Sequence, residues 1–270
     1  MKLENNLKIE DKFLGVGVAW VDSPEYIDFI KNELDPNHNY LEVHLPTSIK
    51  NVPEKFPKIA HCSTLPLADL CSPTSKLIKD VFDQAKTLNA QWIGEHLSIL
   101  GTTTGVQFGY ILAPIHEDGL QARIVERIRN YQEEFGVPFV IELGPRYHAW
   151  GGQDVFEDYK LLRNISVEAG VPIILDIPHT FATANAFNVS FEKILDFLDG
   201  AQVCELHIGA DGVSKRRNIT FDDRWEQLKT CLERFPGIRG ITVELGKNTP
   251  LDVYCNTVKK VTERLKALSV

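Results

Sequence analysis

Six short apolar runs follow one another along this chain, and each carries or ends in a residue able to bind a cation or move a proton. Lys58–Cys62 (KIAHC) brings His61, and Trp92–Leu97 (WIGEHL) brings Glu95 and His96. Pro138–Leu143 (PFVIEL) brings Glu142, and Pro172–Ile177 (PIILDI) brings Asp176, with His179 three residues on. Gln202–Ile208 (QVCELHI) supplies Glu205 and His207, and Ile238–Leu245 (IRGITVEL) supplies Glu244. Any one of these has a bland explanation, since a lone polar residue at a strand end commonly caps a loop. Six in succession are a different matter. An isolated buried ion costs roughly several kcal/mol unless it is compensated. Carboxylates and neutral imidazoles converging on one mouth are compensated by a divalent metal.

Two further runs, Leu14–Ala19 (LGVGVA) and Tyr40–Leu45 (YLEVHL), bring the number to eight. Several lack in–out alternation, as strands buried on both faces of a parallel sheet do. Segments of helical period separate them. Ser23-Pro24 and Ser72-Pro73 each place a capping hydroxyl before a proline suited to a first helical turn. Leu77, Val81, Ala85 and Leu88 share one helical face, as do Ile124, Ile128, Tyr131 and Phe135 ahead of Gly136. The same pattern leads to Gly170 and to Gly200, and a last helix is expected from Pro250. Only the link between the second and third runs lacks room for a helix. Eight parallel strands with intervening helices in about 250 residues is the arithmetic of a (β/α)8 TIM barrel, an α/β fold. No Gly-rich phosphate loop favours an open doubly wound sheet instead. No linker divides the chain, so residues 1–270 are expected to form one barrel domain.

Active sites of such barrels lie at the C-terminal strand ends, where the ionisable residues fall. His44 ends the second run beside them, and His116 and His148 lie in loops of the same face. His38 sits in a polar turn and reads as solvated. Cys62 is expected to point away from His61 and pack. Trp20, Trp150 and Trp225 could line a pocket, although a lone tryptophan is by default core.

Composition narrows the partners. Hydrophobic residues make up 43% and charged residues 24%, the ordinary globular mixture. Lys plus Arg number 29 against 37 Asp plus Glu, for a net charge of −8, and Lys215-Arg216-Arg217 is the densest basic cluster. That balance disfavours a nucleic acid as main partner. The five cysteines form no CxxC pair, which reads as a reduced, cytoplasmic chain. No apolar run approaches the length of a membrane span, and the first residues do not resemble a signal peptide.

The order of the ionisable residues resembles the xylose-isomerase-like TIM-barrel superfamily, which holds endonuclease IV and many sugar isomerases and epimerases. There a Glu, an Asp with a His three residues later, a His and a final Glu lie on successive late strands. Glu142, Asp176 with His179, His207 and Glu244 match them. His61 and His96 match two earlier histidines that give endonuclease IV further metal. Local sequences are most similar to the multinuclear non-heme iron-dependent oxidative enzymes, which include the iron subunit that makes methanobactin. GEHLS (94–98), ILAPIHED (111–118), YQEEFGVPFVIEL (131–143), GVPIILDIPHTFATANAFN (170–188), CELHIGADG (204–212) and ITVELG (241–246) carry that resemblance. The family has Glu-Asn where this chain has Glu142-Leu143, and Asp followed by paired Asn where this chain has Asp176-Ile-Pro-His179. It also has an Asp-x-His pair after the seventh strand. Here Asp211, Asp222 and Asp223 lie in that region, but no histidine follows His207.

The resemblance therefore implies two divalent ions rather than three, with iron the best fit and zinc or manganese the alternatives. His61, His96 and a bridging Glu142 are expected to hold one. Glu142, Asp176, His207 and Glu244 are expected to hold the other, with His179 also within the ligand set. Glu142, Glu244 and His179 are the expected catalytic groups, and His44, His116, Asn185 and Trp150 the expected substrate contacts. The implied activity is an iron-dependent oxidase or oxygenase acting on a cysteine-containing peptide or small thiol, working with a separate peptide-binding partner protein. Three other readings stand beside it. A redox-neutral isomerase or epimerase needs one metal and neither His61 nor His96. A two-metal phosphoesterase of the endonuclease IV type would use a metal-bound hydroxide. A barrel that has lost turnover would serve as a binding subunit.

Overall fold

The computed structural model describes residues 12–36, 39–101, 107–148, 154–210, 220–246 and 249–268. Eight parallel strands close into a barrel: β1 (Gly15–Ala19), β2 (Asn39–Leu45), β3 (Lys58–Cys62), β4 (Ile93–His96), β7 (Phe139–Glu142), β8 (Ile173–Asp176), β9 (Val203–Gly209) and β10 (Gly240–Glu244). Round the barrel the order is β1-β10-β9-β8-β7-β4-β3-β2. Each strand lies where its apolar run predicts. Between β4 and β7 an antiparallel hairpin, β5 (Ile99–Gly101) and β6 (Gln107–Leu112), rises beyond the barrel mouth as an addition the periodicity does not predict.

Helices cover the outside: α1 (Pro24–Glu33), α2 (Ser75–Thr87), α3 (Leu120–Phe135), α4 (Val155–Ala169), α5 (Ile177–Phe187), α6 (Phe191–Leu195), α7 (Phe221–Arg234) and α8 (Leu251–Leu268). Ser23 caps α1 as expected, its hydroxyl accepting from the Tyr26 amide. Gly136 and Gly170 end α3 and α4 in the left-handed conformation, where a glycine carries no Cβ penalty. One cap moves. Thr74, not Ser72, accepts from the Leu77 amide and starts α2. α5 is the other departure, because it begins directly on the end of β8 with no connecting loop.

The barrel interior has its own apolar cluster, distinct from the larger layer between strands and helices. Leu14, Tyr40, Ile59, Trp92, Val140, Ile174 and Cys204 fill its N-terminal half. Side chains alternate along a strand, so the next inward positions towards the mouth are Glu42 and His44, His61, Gly94 and His96, Glu142, Asp176, and Thr242 and Glu244. In β9 the pairing with β8 slips between Ile173 and Ile174, which leaves Cys204 as an extra residue. That bulge lets Cys204 pack inside while Glu205 and His207 also face inward. An apolar plug thus supports a polar mouth.

Candidate metal centre

Glu142 lies at the centre of the mouth. Its side chain is buried on the last residue of β7, paired across the ladder with His96 of β4. Oε2 stands 3.1 Å from His61 Nε2 and 3.4 Å from His96 Nε2, while Oε1 stands 3.1 Å from His179 Nδ1. A second set converges on His207 Nδ1, which is 3.5 Å from Glu244 Oε1, 3.9 Å from Glu142 Oε2 and 4.0 Å from Asp176 Oδ2. Ligand atoms placed about 2.0–2.2 Å from one ion stand roughly 3–3.5 Å apart, close to these separations. Among the described residues, four groups of three have all their ligand atoms within 4.8 Å of one another: His61, His96 and Glu142; Asp176, His207 and Glu244; Glu142, Asp176 and His179; and Glu42, Glu205 and His207.

The unsatisfied atoms test the fit. Glu142 Oε2, Asp176 Oδ2 and His207 Nδ1 are buried and make no hydrogen bond of acceptable geometry. Native interiors rarely leave such atoms unpaired. Three of them at one spot, two acidic and one basic, are a donor set for cations rather than a packing fault. Two divalent ions are accommodated, one by His61, His96 and Glu142 and the other by Asp176, His207 and Glu244.

Asp176 shows why the spacing to His179 is three. It is the N-cap of α5, and its Oδ1 accepts from the His179 amide, which leaves Oδ2 for the site. The first helical turn then swings the His179 ring back over Glu142, where Nδ1 also lies 3.6 Å from Asp176 Oδ2. Burial pushes the Asp176 carboxyl up to about 8, the Glu244 and Glu142 charges adding to this while His179 and His207 oppose it. Burial likewise pushes His61 down to about 3. His179 moves the other way, to about 9. Its burial is outweighed by the Asp176 charge and by the bond to Glu142.

The expected substrate contacts part company. His44 stays at the rim, its side chain 49% exposed and its ring centroid 5.2 Å from that of His61. His116 Nε2 lies 2.7 Å from Asp158 Oδ1. The same carboxylate takes the buried Arg146 guanidinium, which also donates to the Pro114 carbonyl at 3.0 Å. His116 thus belongs to a brace tying three segments of the catalytic face together. Asn185 is exposed on α5, more than a turn beyond His179. Trp150, His38 and Asp211 lie outside the described residues. Trp20 and Trp225 are core, His148 is exposed, and Cys62 packs against the outer layer beside Thr64.

Two buried carboxylates carry more of the site than the sequence reading assigned them. Glu42 bonds His44 Nε2 at 2.8 Å and stands 3.0 Å from His207 Nε2. Burial raises its carboxyl, but the His207 and His61 charges, with bonds from His207 and His44, bring it well below the usual range. Glu205 accepts from Trp92 Nε1 at 2.9 Å and Thr242 Oγ1 at 2.6 Å beneath His207. The available signal for Glu42 was its place two residues before His44, on the same strand face.

Gly94 leaves room for His61. A Cβ there would stand 2.5 Å from Ile174 Cδ1 and 2.9 Å from His61 Nδ1. Gly94→Ala is expected to displace the His61 ring and weaken cation binding at the His61, His96 and Glu142 group by about 10-fold or more, by analogy with lost ring orientation. Titration of the metal-free protein with Zn2+ measures this, and unchanged affinity would contradict it.

A closed parallel barrel with histidines and carboxylates at its C-terminal mouth defines a metal-dependent TIM-barrel enzyme. In sequence, residues 21–250 match the family model described as RiPP precursor modification enzyme MbnB/TglH/ChrH, and the chain belongs to that family. It is therefore a metal-dependent barrel enzyme of a peptide-precursor-modifying family. In structure it is similar to D-allulose 3-epimerase from Methylomonas sp. (14% identity, 95% of this chain and 98% of that chain, TM-score 0.59). It is also similar to 3-keto-D-glucoside 4-epimerase YcjR from E. coli (16%, 93% and 100%, 0.58). D-psicose 3-epimerase from Clostridium cellulolyticum H10 is a third such structure (16%, 95% and 98%, 0.55). At these identities the likeness is one of fold. No curated protein matches the chain in sequence. Among the described residues no helix is long and apolar enough to cross a membrane.

Proposed function

We propose that this enzyme holds two ferrous ions and uses dioxygen to oxidise a cysteine-containing peptide. Family membership supplies the peptide. The observation that carries the rest is the buried Glu142 carboxylate, whose Oε2 stands 3.1, 3.4 and 3.9 Å from nitrogens of His61, His96 and His207 while its Oε1 stands 3.1 Å from His179 Nδ1. Glu142 would be the ligand shared by both ions, with His61 and His96 holding one and Asp176, His207 and Glu244 holding the other. Ferrous ions with mixed imidazole and carboxylate ligands and open positions bind and activate dioxygen.

The chain's own groups divide the remaining work. His179 and Glu244, with side chains 28% and 31% exposed, are the ligand-set members that face the opening. They can hold a proton next to a bound substrate, with Glu142 Oε1 receiving it from His179 Nδ1. His44 stands at the rim to contact the substrate, Asn185 is a proposed contact further out on α5, and Trp150 is also a proposed contact. Leu70, Ile115 and Tyr147, exposed on loops after β3, β6 and β7, offer apolar surface to a peptide. A separate protein that presents the peptide is part of this reading. So is a cytoplasmic setting, in keeping with five cysteines that form no disulfide.

The test is elemental analysis after anaerobic loading with ferrous iron, followed by oxygen-electrode measurements. Two irons per chain, and oxygen uptake that requires a cysteine-containing precursor peptide, are the expected results. The epimerase reading is favoured by one observation, that Asp176, His207 and Glu244 form a group without His61 or His96. One Mn2+ or Zn2+ per chain, no oxygen uptake, and an activity indifferent to His61→Ala would replace the iron reading with it.

A further inference from the structure

Both ring nitrogens of His207 face carboxylates. Nδ1 looks to Glu244, Glu142 and Asp176, while Nε2 is hydrogen-bonded to Glu205 Oε1 at 3.3 Å and stands nearer still, 3.0 Å, to Glu42 Oε2. An imidazole that binds a cation through one nitrogen keeps its proton on the other, and that proton needs a defined acceptor. Glu205 has partners without it. Its Oε2 accepts from Trp92 Nε1, and its Oε1 from Thr242 Oγ1, with Tyr40 OH at 3.4 Å. Glu42 does not. Its Oε1 is taken by His44, but Oε2 is buried and makes no hydrogen bond of acceptable geometry, with His207 Nε2 its 3.0 Å neighbour. The side chain is fully buried, so no water supplies the missing donor from bulk.

We propose that Glu42 is a positioning residue for the second cation: its Oε2 takes the Nε2 proton of His207, which leaves the Nδ1 lone pair aimed at the ion. His44 fixes Glu42 from the rim, so the chain His44–Glu42–His207 runs from the opening to the ligand set. This rests on His207 being a ligand, as the proposed function has it. The same atoms, Glu42, Glu205 and His207 Nε2, could be mistaken for a third cation position. Their neighbours argue otherwise, because Trp92, Thr242 and His44 already bond both carboxylates.

The experiment is calorimetric titration of the metal-free full chain with Zn2+, for the native protein and for Glu42→Leu, Glu42→Gln and His207→Ala. Two binding events are expected for the native chain. Glu42→Leu should weaken one of them about 10–100-fold, the range for losing an outer partner of a metal-bound histidine, and leave the other unchanged. Glu42→Gln, whose amide oxygen can still accept the proton, should recover most of the loss. Long-range 1H–15N spectra of the histidine rings give a readout that bulk destabilisation does not move. In the Zn2+-loaded native chain and in Glu42→Gln, His207 should be protonated at Nε2. If Glu42→Leu fails to fold, the Glu42→Gln comparison and the native spectrum still decide. A native chain protonated at Nδ1, or a third ion lost on replacing Glu42, overturns the proposal. Loss of one event in His207→Ala but not in folded Glu42→Leu overturns this proposal alone. Two intact events in His207→Ala overturn it together with the ligand assignment.

Discussion

Replacing Glu142 by alanine is expected to empty both cation positions and to leave less than about 1% of activity. The reason is geometric. One oxygen faces His61 and His96, the other faces His179, and the carboxylate lies within reach of His207. Losing an outer partner of a ligand costs about 10–100-fold in metal affinity, and losing a shared ligand must cost more. Glu142→Gln separates charge from shape. It keeps the volume but provides one good donor atom instead of two, so it should hold at most one ion. Elemental analysis of both variants after identical loading checks this. A Glu142→Gln protein with two tightly held ions would show that the carboxylate does not bridge.

The second large effect concerns the whole fold. Removing the ions with a chelator should lower the melting temperature by at least about 10 °C, and adding back a divalent ion should restore it. An ion present at 1,000 times its dissociation constant stabilises by about 4 kcal/mol. For a chain of this size each kcal/mol shifts the midpoint by about 2–4 °C. The site supplies a further reason. Glu42, Glu142, Asp176 and Glu205 are all buried at one end of the barrel, where cations offset their mutual repulsion. Thermal scans with and without chelator, at matched ionic strength, measure the difference. A midpoint indifferent to both treatments would mean that the mouth is stable without ions.

The barrel was legible because its strands are buried on both sides and so read as apolar runs, all but the first carrying one or two ionisable residues at or near the C-terminal end. His61, His96, Glu142, Asp176, His207 and Glu244 stood out for the same reason. The hairpin Ile99–Leu112 was not legible, because it belongs to no repeat of strand and helix. α5 was hidden by its composition. Its sequence IPHTFATANAF is rich in small and β-branched residues and starts with no linker after β8. Tertiary placement and the Asp176 cap make it a helix, not propensity. At α2 the cap is Thr74 and not the expected Ser72, whose hydroxyl instead accepts from Arg127 Nη2 at 3.5 Å. Glu42 was passed over because a single acid in YLEVHL can face either way. Its spacing from His44 was the one signal, and its partners His44 and His207 show that it faces inward.

In the proposed two-ion centre the Asp176 carboxylate would have two readers, the backbone of α5 through one oxygen and the cation through the other. These equilibria are therefore linked, and linkage is reciprocal. Whatever steadies the first turn of α5 tightens the ion, and the ion steadies that turn by the same factor. A peptide resting on the exposed outer end of the helix, near Asn185, would thus act as an effector of the centre beneath it without touching a single ligand.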